Sequence, residues 1–285
     1  MGTLKIVRTV AELRHRVANW RRDGARVALV PTMGALHAGH ISLLTLARRQ
    51  ADKVVASVFV NPAQFAPNED FAAYPRHEAA DAEALNNAGC DLLFAPAIEA
   101  IYPPSFATRV QVDGLTEMME GALRPGHFQG VATVVAKLLI QCAPDVAIFG
   151  EKDFQQLAVI RRLALDLDLP VAIVGGPIVR DPDGLALSSR NAYLDDAQRI
   201  VAPALHRALV EASAAMSGGK GIARAESIAR EAILAAGFDT VDYVETRNLE
   251  TLARSGPGAL EAPARILAVA RLGRTRLLDN VAVST

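Results

Sequence analysis

The stretch Val27-Ala28-Leu29-Val30-Pro31-Thr32-Met33-Gly34-Ala35-Leu36-His37-Ala38-Gly39-His40 decides the fold. Its first four residues are apolar throughout, as suits a strand covered on both faces, and Pro31 is expected to end it. A turn with two glycines follows, and a helical pattern runs from about 39 to 51. A buried strand feeding directly into a helix is the repeating unit of a parallel sheet.

The same unit recurs outward from this stretch. Apolar runs at 54–60, 91–95, 145–149 and 171–174 alternate with helical patterns at about 10–23, 77–88, 128–142 and 153–167. Gly24 and Gly89 stand where helices stop. Residues 1–176 are therefore expected to form an α/β, doubly wound (Rossmann-like) parallel sheet domain. Ligands of such sheets sit beyond the carboxyl ends of the strands. The turn-rich stretch 177–186, with Asp181-Pro182-Asp183-Gly184, reads as a hinge. Residues 187–285 read as a smaller α+β C-terminal lid domain, with helices at about 196–216 and 222–236 and strands at 241–246, 265–271 and 275–278.

The chain's 285 residues suffice for two such domains. Its 30 basic and 31 acidic side chains leave a net charge of −1, so whole-chain electrostatics favours neither nucleic acid nor a membrane surface. Apolar residues at 51 % and charged residues at 21 % exclude wholesale disorder. Cys90 and Cys142, each in apolar surroundings, point to buried free thiols and against a disulfide framework. No apolar run precedes Arg8 and none reaches about 18 residues, so neither a signal peptide nor a membrane helix is expected. A cytoplasmic location follows as an expectation.

Three segments carry candidate chemistry. In the first, Gly34 and Gly39 let backbone approach a ligand closely, and the helix N-terminus offers free N–H groups and a positive dipole end suited to phosphate. His37 and His40, three apart, reach the same side and can donate to phosphate oxygens as negative charge builds. A capped turn with two satisfied histidines is the plainer alternative. A zinc site lacks a third ligand. The second segment, Gly150-Glu151-Lys152-Asp153-Phe154-Gln155-Gln156, stands at another strand end. Asp153 suits ribose hydroxyls, Lys152 suits phosphate, and Gln155 and Gln156 suit a polar substrate; an N-capped, solvated first turn is the alternative. The third, Leu187-Ser188-Ser189-Arg190-Asn191, places two hydroxyls and a guanidinium together as a phosphate clamp, or forms an ordinary turn. Asn61 and Gln64 follow the second apolar run, and Arg124 and His127 precede a helix, available for anions. His15, His77 and His206 read as surface residues. The Walker loop, the Gly-x-Gly-x-x-Gly fingerprint and the Gly-x-Ser-x-Gly elbow are absent from the sequence.

The first segment resembles the His-x-Gly-His motif of the nucleotidyltransferase and class I aminoacyl-tRNA synthetase superfamily. Together with Asn61–Gln64, Tyr74-Pro75-Arg76, Arg124–Gly130, Gly150–Gln156 and Leu187–Asn191, it is similar to the pantoate–β-alanine ligase family, from about residue 4 to the C-terminus. The resemblance implies condensation of pantoate with β-alanine through pantoyl adenylate, releasing pyrophosphate and AMP, with ATP as co-substrate, Mg²⁺ and a homodimer. It implies ATP contacts along Pro31, Thr32, Met33, Gly34, Ala35, Leu36, His37, Ala38, Gly39 and His40, with His40 as proton donor. Gly150, Glu151, Lys152, Asp153 and Val179 would meet the nucleoside, and Leu187, Ser188, Ser189 and Arg190 its phosphates. Gln64 and Gln156 would bracket pantoate, with Gln64 also near β-alanine. Asp81 looks like a family Mg²⁺ contact, although a helix-surface aspartate is the plainer reading. The chemistry agrees with these roles: a carboxylate is already ionised at pH 7, so adenylation needs positioning and charge stabilisation, not a base. Closure of the C-terminal domain would keep water from an acyl adenylate.

Two other readings stay open at this point. One is a nucleotidyltransferase that leaves the nucleotide on a phosphorylated acceptor; AMP release separates it from a ligase. The other is an RNA-binding module with Arg265, Arg271, Arg274 and Arg276 as a basic strip. Aromatics at 5 % leave few stacking platforms for it.

Overall fold

A computed structural model describes residues 4–67, 69 and 71–285. The sequence expectation about the N-terminus rests partly on residues 1–3, which lie outside the described residues. The chain divides into two units, one of residues up to Glu151 plus Gln155–Pro177, the other of Lys152–Phe154 plus Ile178–Thr285.

The first unit holds six parallel strands, β1 (Lys5–Val7), β2 (Val27–Thr32), β3 (Lys53–Val58), β4 (Leu92–Phe94), β5 (Val146–Gly150) and β6 (Ala172–Gly176), in the order β1-β4-β3-β2-β5-β6. Its helices are α1 (Val10–Arg22), α2 (Ala38–Arg48), α3 (Glu78–Asn87), the short α4 (Ile98–Ile101) and α5 (Glu120–Leu123), α6 (His127–Cys142) and α7 (Phe154–Asp166). Alternation along β2 sorts side chains to opposite faces. Val27 and Leu29 join Leu13, Val135, Leu139 and Ile160 in one buried cluster. Ala28 and Val30 join Leu43, Leu44 and Leu85 in the other. Helices thus cover both faces, and the expected doubly wound sheet is present. Each fully buried Leu or Ile contributes about 1.5–3 kcal/mol, so these two clusters hold the helices against both faces of the sheet.

Two local expectations need correction. Pro31 does not end the strand: it lies inside β2, paired with Ser57 of β3. The β2–β5 pairing stops at Leu29, so the missing N–H of Pro31 leaves no gap in the ladder there. β1 was not expected at all, being only three residues long.

The second unit packs α8 (Asp196–Val201), α9 (Ala204–Ser217) and α10 (Ile222–Ala235) with an antiparallel sheet of β7 (Thr240–Asn248), β8 (Ala264–Leu272) and β9 (Thr275–Val283). Leu205, Leu209, Ile233, Ile266 and Leu277 belong to its core. The helix expected over 196–216 is two, because Pro203 interrupts it. The stretch expected as a hinge is fastened from residue 180 onward. Arg180 bridges to Ala186 in backbone pairing, Asp181 N–H donates to Leu185 O, and Arg199 pairs with both Asp181 and Asp183. Arg180 donates to both carboxylate oxygens of Asp279 on β9, at 2.6 and 2.9 Å. His206 is no plain surface residue: its Nδ1 lies 3.5 Å from Asp279.

Cys90 and Cys142 are free and buried, and burial pushes their thiols up to about 11 and about 12. No helix among the described residues is long and apolar enough to cross a membrane.

Candidate active site

The strand order reverses direction between β2 and β5, which lie side by side although the chain has passed through β3 and β4 between them. Such a switch point opens a crevice at the carboxyl ends of the two strands. The loop after β2 (33–37) stands at that crevice's edge.

The first loop is built with care. Thr32 Oγ1 donates to Ser57 O at 2.8 Å and accepts the N–H of Gly34 at 3.2 Å. Gly34 and Ala35 both take left-handed backbone, with φ of 84° and 51°. A Cβ on Gly34 would lie 2.8 Å from Asp81 Oδ2, so only glycine fits. Asp81 reaches across from the first turn of α3, where its Oδ2 accepts the N–H of Ala35 at 3.0 Å and its Oδ1 that of Leu36 at 2.8 Å.

α2 then starts with an unusual cap. His37 Nδ1 accepts the N–H of Gly39 at 3.2 Å, and His40 Nδ1 accepts the N–H of His37 at 3.3 Å. This is the reciprocal arrangement of a capping box, made by two imidazoles. With Nδ1 accepting in both rings, the neutral tautomer carries its proton on Nε2. The rings lie 4.1 Å apart. Two N–H donors are thus held side by side at a positive helix end, an arrangement suited to an anion. Satisfaction at Nδ1 and a phosphate-suited turn are compatible, since the ring proton then sits on Nε2.

Gln64 is held at both ends of its side-chain amide. Asn61, 1 % exposed, donates to Gln64 Oε1 at 3.0 Å and to Gly130 O at 3.1 Å, while its own Oδ1 accepts from Ala63 N–H and from the Tyr102 hydroxyl at 2.8 Å. Asn61 is spent on orienting its neighbour. Gln64 Nε2 lies 3.2 Å from Met33 Sδ. A thioether is a weak acceptor, so this N–H transfers readily to a better one. Gly130 packs where a Cβ would overlap the Ala63 carbonyl, 2.2 Å away. Burial pushes the Tyr102 hydroxyl up to about 12, against the bond to Asn61.

Arg124 and His127 do not stand open to anions as expected. Arg124 forks onto Glu69 at 2.6 and 2.7 Å. Burial opposes charge on Glu69, but the hydrogen bonds and charge of Arg124 outweigh it and hold the carboxyl below its ordinary value. His127 Nδ1 meets Gln64 O at 2.9 Å, and burial and the neighbouring Arg124 push the imidazole down to about 4. It is neutral at pH 7 and acts on the Gln64 backbone. These residues, with Phe106 and Thr133, line a cavity of about 510 Å³.

At the β5 end, Gly150 closes the strand and Glu151–Asp153 form a single turn. Gln155 is no substrate contact. It is 4 % exposed, accepts from Glu120 N–H at 3.1 Å and donates to Leu115 O and Met118 O at 2.8 Å each. Gln156, half-buried, is the one of the pair left for a ligand.

In the second unit, Lys152 lies 3.9 Å from Asp153, and its carbonyl accepts from Asn280 at 2.8 Å. Ser188 caps the turn Ser189–Tyr193 by accepting Arg190 N–H at 3.3 Å. Asn191 donates to Ala186 O, and Val179 O accepts Leu187 N–H. The 187–190 loop is thereby hung on the fastened 180–186 turn.

Asp81 is not on a helix surface; it is 3 % exposed. Nor does it fit a magnesium ion: both oxygens hold backbone N–H groups, and Mg²⁺ keeps several waters that a side chain this enclosed cannot admit. Among the described residues no three His, Cys, Asp or Glu side chains gather as a metal site. Sequence reasoning missed the loop role of Asp81, the Glu69 fork and the Arg180–Asp279 clamp. Each joins residues dozens of positions apart, and no local pattern signals it.

A doubly wound sheet with paired imidazole donors at its switch point defines an α/β enzyme of the His-x-Gly-His kind. Comparison with known proteins narrows this. The family model described as pantoate-beta-alanine ligase matches residues 5–282, and the chain belongs to that family. It is similar to the pantothenate synthetases of Paramagnetospirillum magneticum, 59 % identical over 98 % of this chain and 97 % of that protein, and Caulobacter vibrioides, 60 % identical over 98 % of each. A crystal structure of pantothenate synthetase from Thermus thermophilus matches with a TM-score of 0.93 at 49 % identity, covering 99 % of this chain and 100 % of that one. The pantoate-beta-alanine ligase of Francisella tularensis, complexed with beta-gamma ATP and beta-alanine, matches with a TM-score of 0.81 at 32 % identity, covering 98 % of this chain and 97 % of that one.

Proposed function

We propose that the chain joins pantoate to β-alanine at the expense of ATP, through a pantoyl adenylate. The pantoate carboxylate attacks the α-phosphorus of ATP, and pyrophosphate leaves. The β-alanine amine then attacks the acyl carbon, loses a proton, and AMP departs. The observation that carries this reading is the double-imidazole cap of α2; its Nε2–H groups are assigned to stabilise the negative charge that builds on the phosphates. Among the two, His40 is assigned the proton donation. The Francisella enzyme's complex supports ATP and β-alanine as ligands.

The Met33–His40 loop takes the triphosphate, Gly150–Asp153 and Val179 the nucleoside. Gln64 and Gln156, neutral amides, take pantoate; they suit a hydroxy acid better than a second phosphate. Lys152, Ser188, Ser189 and Arg190 are assigned to the departing pyrophosphate on the family resemblance. That resemblance also carries a homodimer and a cytoplasmic setting; sedimentation velocity at micromolar concentration should give twice the chain mass. Mg²⁺ is assigned to ATP and not to a cage of side chains.

Pyrophosphate–ATP exchange tests the reading. Exchange should require pantoate and proceed without β-alanine. Exchange that needs β-alanine, or none from folded protein that binds ATP, would count against an adenylate.

A further inference from the structure

We propose that Asp81 is a positioning residue for the 33–37 loop and not a ligand of a divalent cation. Consecutive backbone N–H groups in a left-handed turn form a concave anion site. Here Ala35 and Leu36 supply those groups, and the anion is built in: the Asp81 carboxylate accepts both, at 3.0 and 2.8 Å. The turn is one that a chain does not adopt freely. Ala35 takes φ of 51°, a conformation that costs a residue with a side chain of order 1–3 kcal/mol. The two charge-assisted bonds offset that cost and keep the loop in place before any ligand arrives. The fit is close, since Gly34 admits the carboxylate only by lacking a side chain.

Two consequences follow. The N–H groups of Ala35 and Leu36 are withheld from the nucleotide, so phosphate is left to the start of α2 and its imidazoles. And the loop that sets where α2 begins is held from α3, an element with no other part in the site. The inference rests on the reading that this loop holds ATP only where kinetics are used to test it.

The first test needs neither ATP nor metal. Amide hydrogen exchange on the metal-free protein should show the Ala35 and Leu36 amides protected. In Asp81→Ala and Asp81→Asn their protection should fall at least tenfold, while amides of β2 and β5 keep theirs and certify the fold. Formate should restore protection to Asp81→Ala by refilling the turn. Gly34→Ala approaches the same contact from the loop side and should also lose protection at both amides. Unchanged protection in the Asp81 variants, or loss that formate does not restore, would overturn the proposal.

The second test separates the roles in the working enzyme. A positioning role predicts that Asp81→Asn raises the KM for ATP roughly tenfold with the Mg²⁺ midpoint unmoved at saturating ATP. A mere charge effect has the opposite sign, since removing an anion tightens binding of a polyanion. A metal ligand would raise the Mg²⁺ midpoint tenfold or more. Either of the latter results overturns the proposal. If the wild-type chain shows no ATP chemistry, the exchange arm still decides the role of Asp81.

Discussion

Replacing Arg180 by Ala removes the fork that holds Asp279 and leaves that carboxylate, 2 % exposed, without its bidentate cationic partner. Stripping one member from a buried ion pair costs about 3–5 kcal/mol, because the remaining charge has lost its compensation. The bonds lost here measure 2.6 and 2.9 Å and are bidentate, which places the expected loss within that range. His206, 3.5 Å from the carboxylate, supplies only part of the replacement. The pH dependence follows from the same geometry. Burial opposes ionisation of Asp279, but His206 and Arg180 outweigh it and hold the carboxyl below its ordinary value. A carboxylate with a depressed folded pKa stabilises the fold above its unfolded value, about 3.9, and loses that contribution as pH falls through the folded value. The gap between wild type and Arg180→Ala should therefore be full at pH 7 and narrow only below about pH 4. Denaturant unfolding across that pH range, read by hydrogen exchange at β9 amides, reports it. The double variant Arg180→Met, Asp279→Leu should recover most of the loss, since an apolar pair of similar volume carries no desolvation cost. A loss below about 1 kcal/mol in Arg180→Ala, or a double variant no more stable than the single one, would refute the reasoning.

Other outcomes are expected elsewhere. His40→Ala should slow pyrophosphate exchange by roughly 10²–10³-fold while the KM for pantoate stays within a few-fold, as befits a donor that acts on developing charge. Gln155→Ala should destabilise the fold by about 2–3 kcal/mol by stranding one N–H and two carbonyls, whereas Gln156→Ala should leave the melting curve in place and raise the pantoate KM. His127, pushed down to about 4, is neutral in the fold. The unfolded chain binds its proton first, so stability should fall as pH drops from about 6.5 toward 4. His127→Asn should flatten that part of the stability profile.

Much of the fold was legible because its signals are local. The apolar runs at 27–30, 54–60 and 145–149 name the central strands, and the pattern that follows each names a helix. The His-x-Gly-His turn was legible for the same reason: strand, glycines and helix start stand within 14 consecutive residues. What stayed hidden depends on distance. Asp81 lies in an unremarkable helix turn, 45 and 46 positions from the N–H groups it holds. β9 runs past Leu278 with Asp279 and Asn280, polar and seemingly unfit for a buried strand, buried there and bonded to half-buried Arg180, 99 and 100 positions away. Arg124 and His127 look open to anions until Glu69 and burial are seen to occupy one and neutralise the other. Residue type announces chemical capacity; only the fold shows whether that capacity is already spent.

The central claim is that the carboxylate of pantoate attacks the α-phosphorus. The direct measurement is turnover with pantoate labelled with ¹⁸O in both carboxylate oxygens, followed by mass spectrometry of the products. The adenylate route predicts one ¹⁸O in each AMP and one retained in the new amide, with none in pyrophosphate. Unlabelled AMP, or label in phosphate or pyrophosphate, would contradict it.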